Sequence, residues 1–157
     1  MKIQIIQIGK YKNDNYRELA DEFEKRLSAF ADVSVTTLKG ADGALPRERI
    51  IEDESRMLLG ALEKVGGGGG FLVVLDDAGK QFDSVGFSEF LGKRKDNGDG
   101  VIFVIGGAFG LTDELKGKAD LALSLSKMTF THQMVRPLLM EQIYRGFCIL
   151  NGKEYHY

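Results

Sequence analysis

The residues whose types and spacing could do chemistry lie in the last third of the chain. Gly106 and Gly107 follow directly on the apolar run Val101-Ile-Phe-Val-Ile105. A backbone without Cβ atoms can press against a flat or charged ligand and present its N–H groups to it. Further on, a second apolar run, Leu121-Ala-Leu123, leads into the small, polar stretch Ser126-Lys-Met-Thr129. His132 and Arg136 are spaced i, i+4 and so share one helix face. Both fall near the start of a predicted helix, where the backbone dipole favours anions. An imidazole and a guanidinium there suit a phosphate or a base; a solvated helix face is the plainer alternative. The chain ends Tyr155-His156-Tyr157. Termini normally fray, yet this one is aromatic enough to dock, with a second subunit as one platform.

Other chemistries find less support. The glycine string is Gly-Gly-x-x-Gly, late in the chain, not the Gly-x-Gly-x-x-Gly of a first βαβ unit, so a nucleotide-binding oxidoreductase is the weakest reading. Two histidines and one cysteine, widely separated, do not make a usual zinc site. No Gly-x-Ser-x-Gly elbow is present. Asp76 and Asp77 end a strand, where an acid can bind a hydroxyl or simply begin a turn; the turn is the plainer reading. Glu141 and Arg145 read as an intrahelical ion pair. The run Gly66 to Gly70 precedes a strand, and no Lys-Ser/Thr follows it, so it is a slack connector rather than a phosphate loop. Cys148, between Phe147 and Ile149, reads as a buried structural thiol.

The elements that must position these residues follow from periodicity. Residues 2 to 8, 33 to 38, 71 to 75, 101 to 105 and about 120 to 124 read as strands. Helices are expected after Asn15 as a cap, from Pro46 to about Val65, from about Ser84 to Lys95, briefly after the Thr112 cap, and from about Thr131 to Phe147. Pro137 is tolerable only because that last helix starts close by. Strands alternating with helices predict an α/β fold: a mainly parallel sheet covered by helices on both faces. The expected site is the crevice where strands 101 to 105 and 120 to 124 end side by side.

At 157 residues, with no repeat and no boundary, a single domain is expected. No stretch is apolar enough to span a membrane, and the alternating N-terminus lacks the features of a signal peptide. A cytoplasmic protein is the expectation. The net charge of −2 argues against a general nucleic-acid binder such as a DNA-binding protein, but from residue 124 onward Lys127, Arg136, Arg145 and Lys153 outnumber Glu141 and Glu154.

Three motifs in order, Val104-Ile-Gly-Gly-Ala-x-Gly-Leu111, Leu123-Ser-Leu-Ser-Lys-Met-Thr-x-x-His-Gln133 and Glu141-Gln-x-Tyr-Arg145, with a final Gly-x-x-Tyr-His, closely resemble the RlmH family of ribosomal RNA large-subunit methyltransferases, of the SPOUT class. The resemblance runs from Met1-Lys-Ile through Gly9-Lys to the C-terminus. It implies a homodimer with a deep trefoil knot in the C-terminal half, a rare exception to the rule against threaded chains. It implies S-adenosylmethionine among the knot loops, held by Leu75, Gly107, Ser126, Lys127, Met128, Thr129, Phe130 and Thr131. The implied methyl acceptor is N3 of a pseudouridine in helix 69 of 23S rRNA, on the assembled 70S ribosome. His132, Arg136, Tyr155 and His156 are then the candidates for holding or deprotonating the base, the last two coming from the partner subunit. A sulfonium already makes its methyl group labile, so alignment is the protein's main task. The chain departs from the family at Thr131, usually proline, at Pro137, usually aliphatic, and at Tyr157, commonly Lys or Arg. The altered loop and tail motivate a second reading, a ribosome-binding factor of the same fold with weak catalysis.

Overall fold

The computed structural model describes residues 1–65 and 69–155. Gly66 to Gly68 of the glycine run, and His156 and Tyr157 of the tail, lie outside the described residues. The elements run β1 (Lys2–Ile8), α1 (Asp14–Leu27), β2 (Asp32–Leu38), α2 (Arg47–Val65), β3 (Gly70–Lys80), α3 (Ser84–Asp96), β4 (Gly100–Ile105), α4 (Asp113–Gly117), β5 (Leu121–Leu123) and α5 (His132–Leu150). All pairings are parallel, in the order β2-β1-β4-β3-β5.

Alternation along the central strands sends side chains to two cores. Val101, Phe103 and Ile105 of β4, with Ile3 and Ile5 of β1, meet Phe23 and Leu27 of α1, Leu91 of α3, and Leu139, Ile143 and Phe147 of α5. Ile102 and Val104, with Ile6 and Ile8, meet Leu58 and Ala61 of α2 and Leu115 of α4. The sheet is therefore covered on both faces, as the continuous apolar runs require.

Several boundaries differ from the sequence expectations. The cap of α1 is Asn13, whose side chain accepts from the Asn15 N–H at 2.9 Å, so Asn15 lies inside the helix it was expected to cap. α5 extends to Leu150 rather than Phe147 and runs through Pro137, which is buried. β3 does not stop at Leu75: it regains β5 at Lys80 after a break in register, with Asp76 to Gly79 as the excursion between two pairings. The largest difference is lateral. β4 and β5 are not neighbours; β3 lies between them. The chain leaves β4 and crosses β3 to reach the sheet edge, a topology that strand-by-strand periodicity does not encode.

Phe147 is fully buried and stacks on Phe30, with centroids 5.8 Å apart. Phe147→Ala should lower unfolding free energy by about 3–5 kcal/mol in urea titrations, through lost burial and the cavity left behind.

Candidate active site

The crevice was expected where β4 and β5 end side by side, but β3 separates those strands, and the cavity lies over the ends of all three. A cavity of about 410 Å³ opens at the carboxyl ends of these strands. One wall is the turn after β4, Gly106 to Gly110; another is the loop from Leu125 to Phe130; the floor includes Leu75 and Leu123. The β4 turn closes on itself, with the Gly110 N–H donating to the Gly107 carbonyl at 3.2 Å and Gly110 in the left-handed region at φ +87°. That conformation is cheap only for glycine. Thr112 then caps α4, accepting from the Leu115 N–H, while its own N–H donates to Ser55 Oγ of α2 at 3.0 Å.

Serines shape the opposite loop. The Ser124 hydroxyl donates to the Ser126 carbonyl at 2.9 Å, and Ser126 Oγ accepts from the Met128 N–H at 3.0 Å. These local bonds replace a strand ladder and turn the chain toward α5. They leave Met128 projecting, 73% exposed, at the cavity rim.

Of the residues singled out from the sequence, Leu75, Gly107, Ser126, Met128, Thr129, Phe130 and His132 line this one cavity. Lys127 and Thr131 lie on the same loop but do not form its wall; Thr131 is the cap residue of α5 and makes no side-chain capping bond. His132 stands over the turn after β1: a side chain at Gly9 would meet its Nε2 at 3.4 Å. The Lys12 N–H donates to Gln133 Oε1 at 2.9 Å and ties that turn to the start of α5.

Arg136 does not join His132. It is 7% exposed and faces α1, with Nη2 at 3.4 Å from Glu24 and 3.9 Å from Asp21 and its guanidinium over the Tyr11 ring. Burial pushes the Tyr11 phenol up to about 12, against the pull of Arg136. In this chain Arg136 is a brace between α1 and α5. Tyr155 is also away from the cavity. Its ring packs edge-on against Tyr144 at 4.8 Å and lies under the Arg145 guanidinium, which also donates to the Tyr155 carbonyl. Tyr144 and His132 are twelve residues apart on α5, a rise of about 18 Å. Arg145 and Glu141 form the expected ion pair, and Cys148 is buried.

The sequence reading missed two groups. Asp76, treated as a turn residue, lines the cavity and pairs with Lys116 of α4. Burial works to raise its pKa, but the bonds from Lys116 and the Ala78 N–H prevail and hold the carboxyl below its ordinary value. Glu54 is the other. It is 5% exposed, on the inner face of α2. Its Oε1 accepts from the Ala41 N–H at 3.2 Å, while Oε2 has no partner and abuts Gly107. Burial raises its pKa, against the Ala41 bond and the charge of His132. The signal was legible: Glu54 sits midway between Ile50 and Leu58 on the apolar stripe of a helix.

A model of the family described as "Predicted SPOUT methyltransferase" matches residues 1–156. Proteins named "Ribosomal RNA large subunit methyltransferase H" from Trichlorobacter lovleyi and Geotalea daltonii are 40% and 39% identical, each over the whole of both chains. The solved structure of a probable methylase family protein from Haemophilus influenzae Rd KW20 superposes with a TM-score of 0.54 at 13% identity, covering 98% of this chain and 67% of that one. A putative methylase family protein from Neisseria gonorrhoeae gives 0.52 at 12% identity, covering 90% and 81%. These two likenesses concern the fold. With full-length relatives near 40% identity and a matching family model, the chain belongs to the SPOUT methyltransferase family, enzymes whose methyl donor is S-adenosylmethionine.

Proposed function

We propose that this protein methylates large-subunit ribosomal RNA, and that its acceptor is N3 of a pseudouridine in helix 69 of 23S rRNA on the assembled 70S ribosome. One observation carries the reading. Residues from three separate strand ends, Leu75, Gly107 and the set Ser126, Met128, Thr129 and Phe130, converge on a single open cavity that His132 also lines. The names of the full-length relatives supply the substrate class.

The residues present fit the donor. The cavity volume is within the range of small-molecule sites. Gly106 and Gly107 bring bare backbone to the wall, and a Cβ on either would collide, with Leu111 or with Glu54. Leu75, Leu123, Leu125 and Val135 offer apolar surface for an adenine ring, and the Asp76 carboxylate is a polar contact for a hydroxyl. When bound, S-adenosylmethionine supplies an activated methyl group. The chain's own work is to fix its orientation, exclude water and hold the acceptor base. In this reading His132, which lines the cavity, holds the base or takes up the N3 proton.

The reading includes the deep trefoil knot of the C-terminal half. It also includes a homodimer. Within one chain Tyr155 is held on the far part of α5 from His132. In this reading Tyr155 and His156 come to the base from the partner subunit. A cytoplasmic location belongs to the same reading. Among the described residues no helix is long and apolar enough to cross a membrane.

The deciding experiment is mass spectrometry of 23S rRNA fragments from 70S ribosomes of a methylase-deficient strain, after treatment with protein and S-adenosylmethionine. A single added methyl on the helix 69 fragment is expected. Unchanged fragments with stable ribosome association would favour the binding-factor reading; failure to associate at all would overturn both. His132→Ala should reduce methyl transfer by about 10²-fold or more while leaving donor affinity, measured by calorimetry, within about threefold of the wild type. Gly107→Ala should do the reverse first. A Cβ there meets a buried carboxylate, and donor affinity should fall by about tenfold or more.

A further inference from the structure

Glu54 has no role in the reading above, yet among the described residues it is a buried carboxylate with one unpartnered oxygen. A carboxylate on the apolar stripe of α2, 5% exposed, has one oxygen bonded to the Ala41 N–H and the other bonded to nothing. Removing a charge from water is expensive unless it is paired and fully hydrogen-bonded. A structural anchor for the 40–41 turn would need only an acceptor, which an amide supplies without the charge. Glu54 is also not remote. Its unpartnered oxygen abuts Gly107, and Gly107 is itself cavity wall. The ionisable side chain nearest in effect is His132, from α5, which lines the same cavity. The carboxylate therefore sits one glycine's thickness behind the donor site, with little solvent to screen it.

We propose that Glu54 is a specificity-determining residue of that site, whose field favours the cationic methyl donor over the neutral product. The proposal rests on the assignment of the cavity to S-adenosylmethionine. In the transfer, the sulfur–methyl bond breaks and its electron pair stays on sulfur, so a sulfonium becomes a thioether. The acceptor nitrogen forms the new bond and gives up its proton to His132 or to water. Donor and S-adenosylhomocysteine thus differ chiefly by one methyl group and one positive charge. The cavity wall also carries Asp76, paired with Lys116, and Asp77 and Arg47; Glu54 adds a buried carboxylate without an ion-pair partner among the described residues, which distinguishes donor from product by sign. Glu54 thereby helps spent product give way to fresh donor.

Calorimetric titration of the full chain with each molecule, for wild type and Glu54→Gln, tests this. The variant keeps the Ala41 acceptor and loses only the charge. Affinity for S-adenosylmethionine should fall about tenfold, and affinity for S-adenosylhomocysteine should stay within about twofold. Glu54→Met, which continues the apolar stripe, should show the same selective loss. Equal weakening of both ligands would make Glu54 a structural anchor and overturn the proposal, as would no change in either. If the wild type binds neither molecule, the donor-site assignment itself fails. Folding is checked separately. Burial raises the Glu54 pKa, so its contribution to stability is fully present below its unfolded value and is lost as pH rises through the folded value. Glu54→Gln, lacking that titration, should melt no lower than the wild type at pH 8.

Discussion

Everything in this molecule is hung from the two-sided pairing of β4. The strand bonds β1 on one edge and β3 on the other, and its side chains fill both cores. Each flanking strand is held in register by that contact, so the carboxyl ends of β1, β3 and β4 are fixed relative to one another before any loop is considered. The cavity is what remains above those ends once the turns are closed. Its walls are therefore backbone segments starting from a rigid edge, which lets glycine turns present N–H groups at defined positions rather than as a mobile loop.

α5 divides two duties along its length. Its second half, through Ile143 and Phe147, is core and stacks with rings from α1's end of the sheet. Its first turn carries His132 to the cavity, tied by Gln133 to the turn after β1. Arg136 is the joint between the two regions. Held by Glu24, Asp21 and the Tyr11 face, it sets how the helix leaves the cavity. The cationic residue that a sequence reader would offer to an anionic substrate is here spent on aligning the helix that bears the histidine.

Much of this was legible in the sequence. The apolar runs at 71 to 75 and 101 to 105 are long enough, and bounded sharply enough by Gly and Asp, to name buried parallel strands. The Thr112 cap, the Glu141–Arg145 pair and the buried Cys148 are local and were read locally. The position of β3 was not legible, because strand order depends on which crossover the chain takes and no short-range pattern records that. The partnership of Arg136 with α1 was hidden for the same reason. It joins positions 112 residues apart, and helix spacing reveals only what shares a face. Glu54 was visible as a break in an apolar stripe, but its meaning depended on Gly107, which the fold alone brings against it.

The interrupted pairing of β3 has a consequence for variation. Leu75 and Lys80 both register against Leu123, so the segment between them is a closed detour. Its length is not counted by the ladder on either side. Gly79 is fixed, because a Cβ there would meet the Ala122 backbone at 2.6 Å, but Asp76 to Ala78 can vary without displacing a core side chain, and Asp76 and Asp77 reshape the cavity directly. Descendants of such a sequence have, in that detour, a stretch where selectivity can drift while foldability stays untouched.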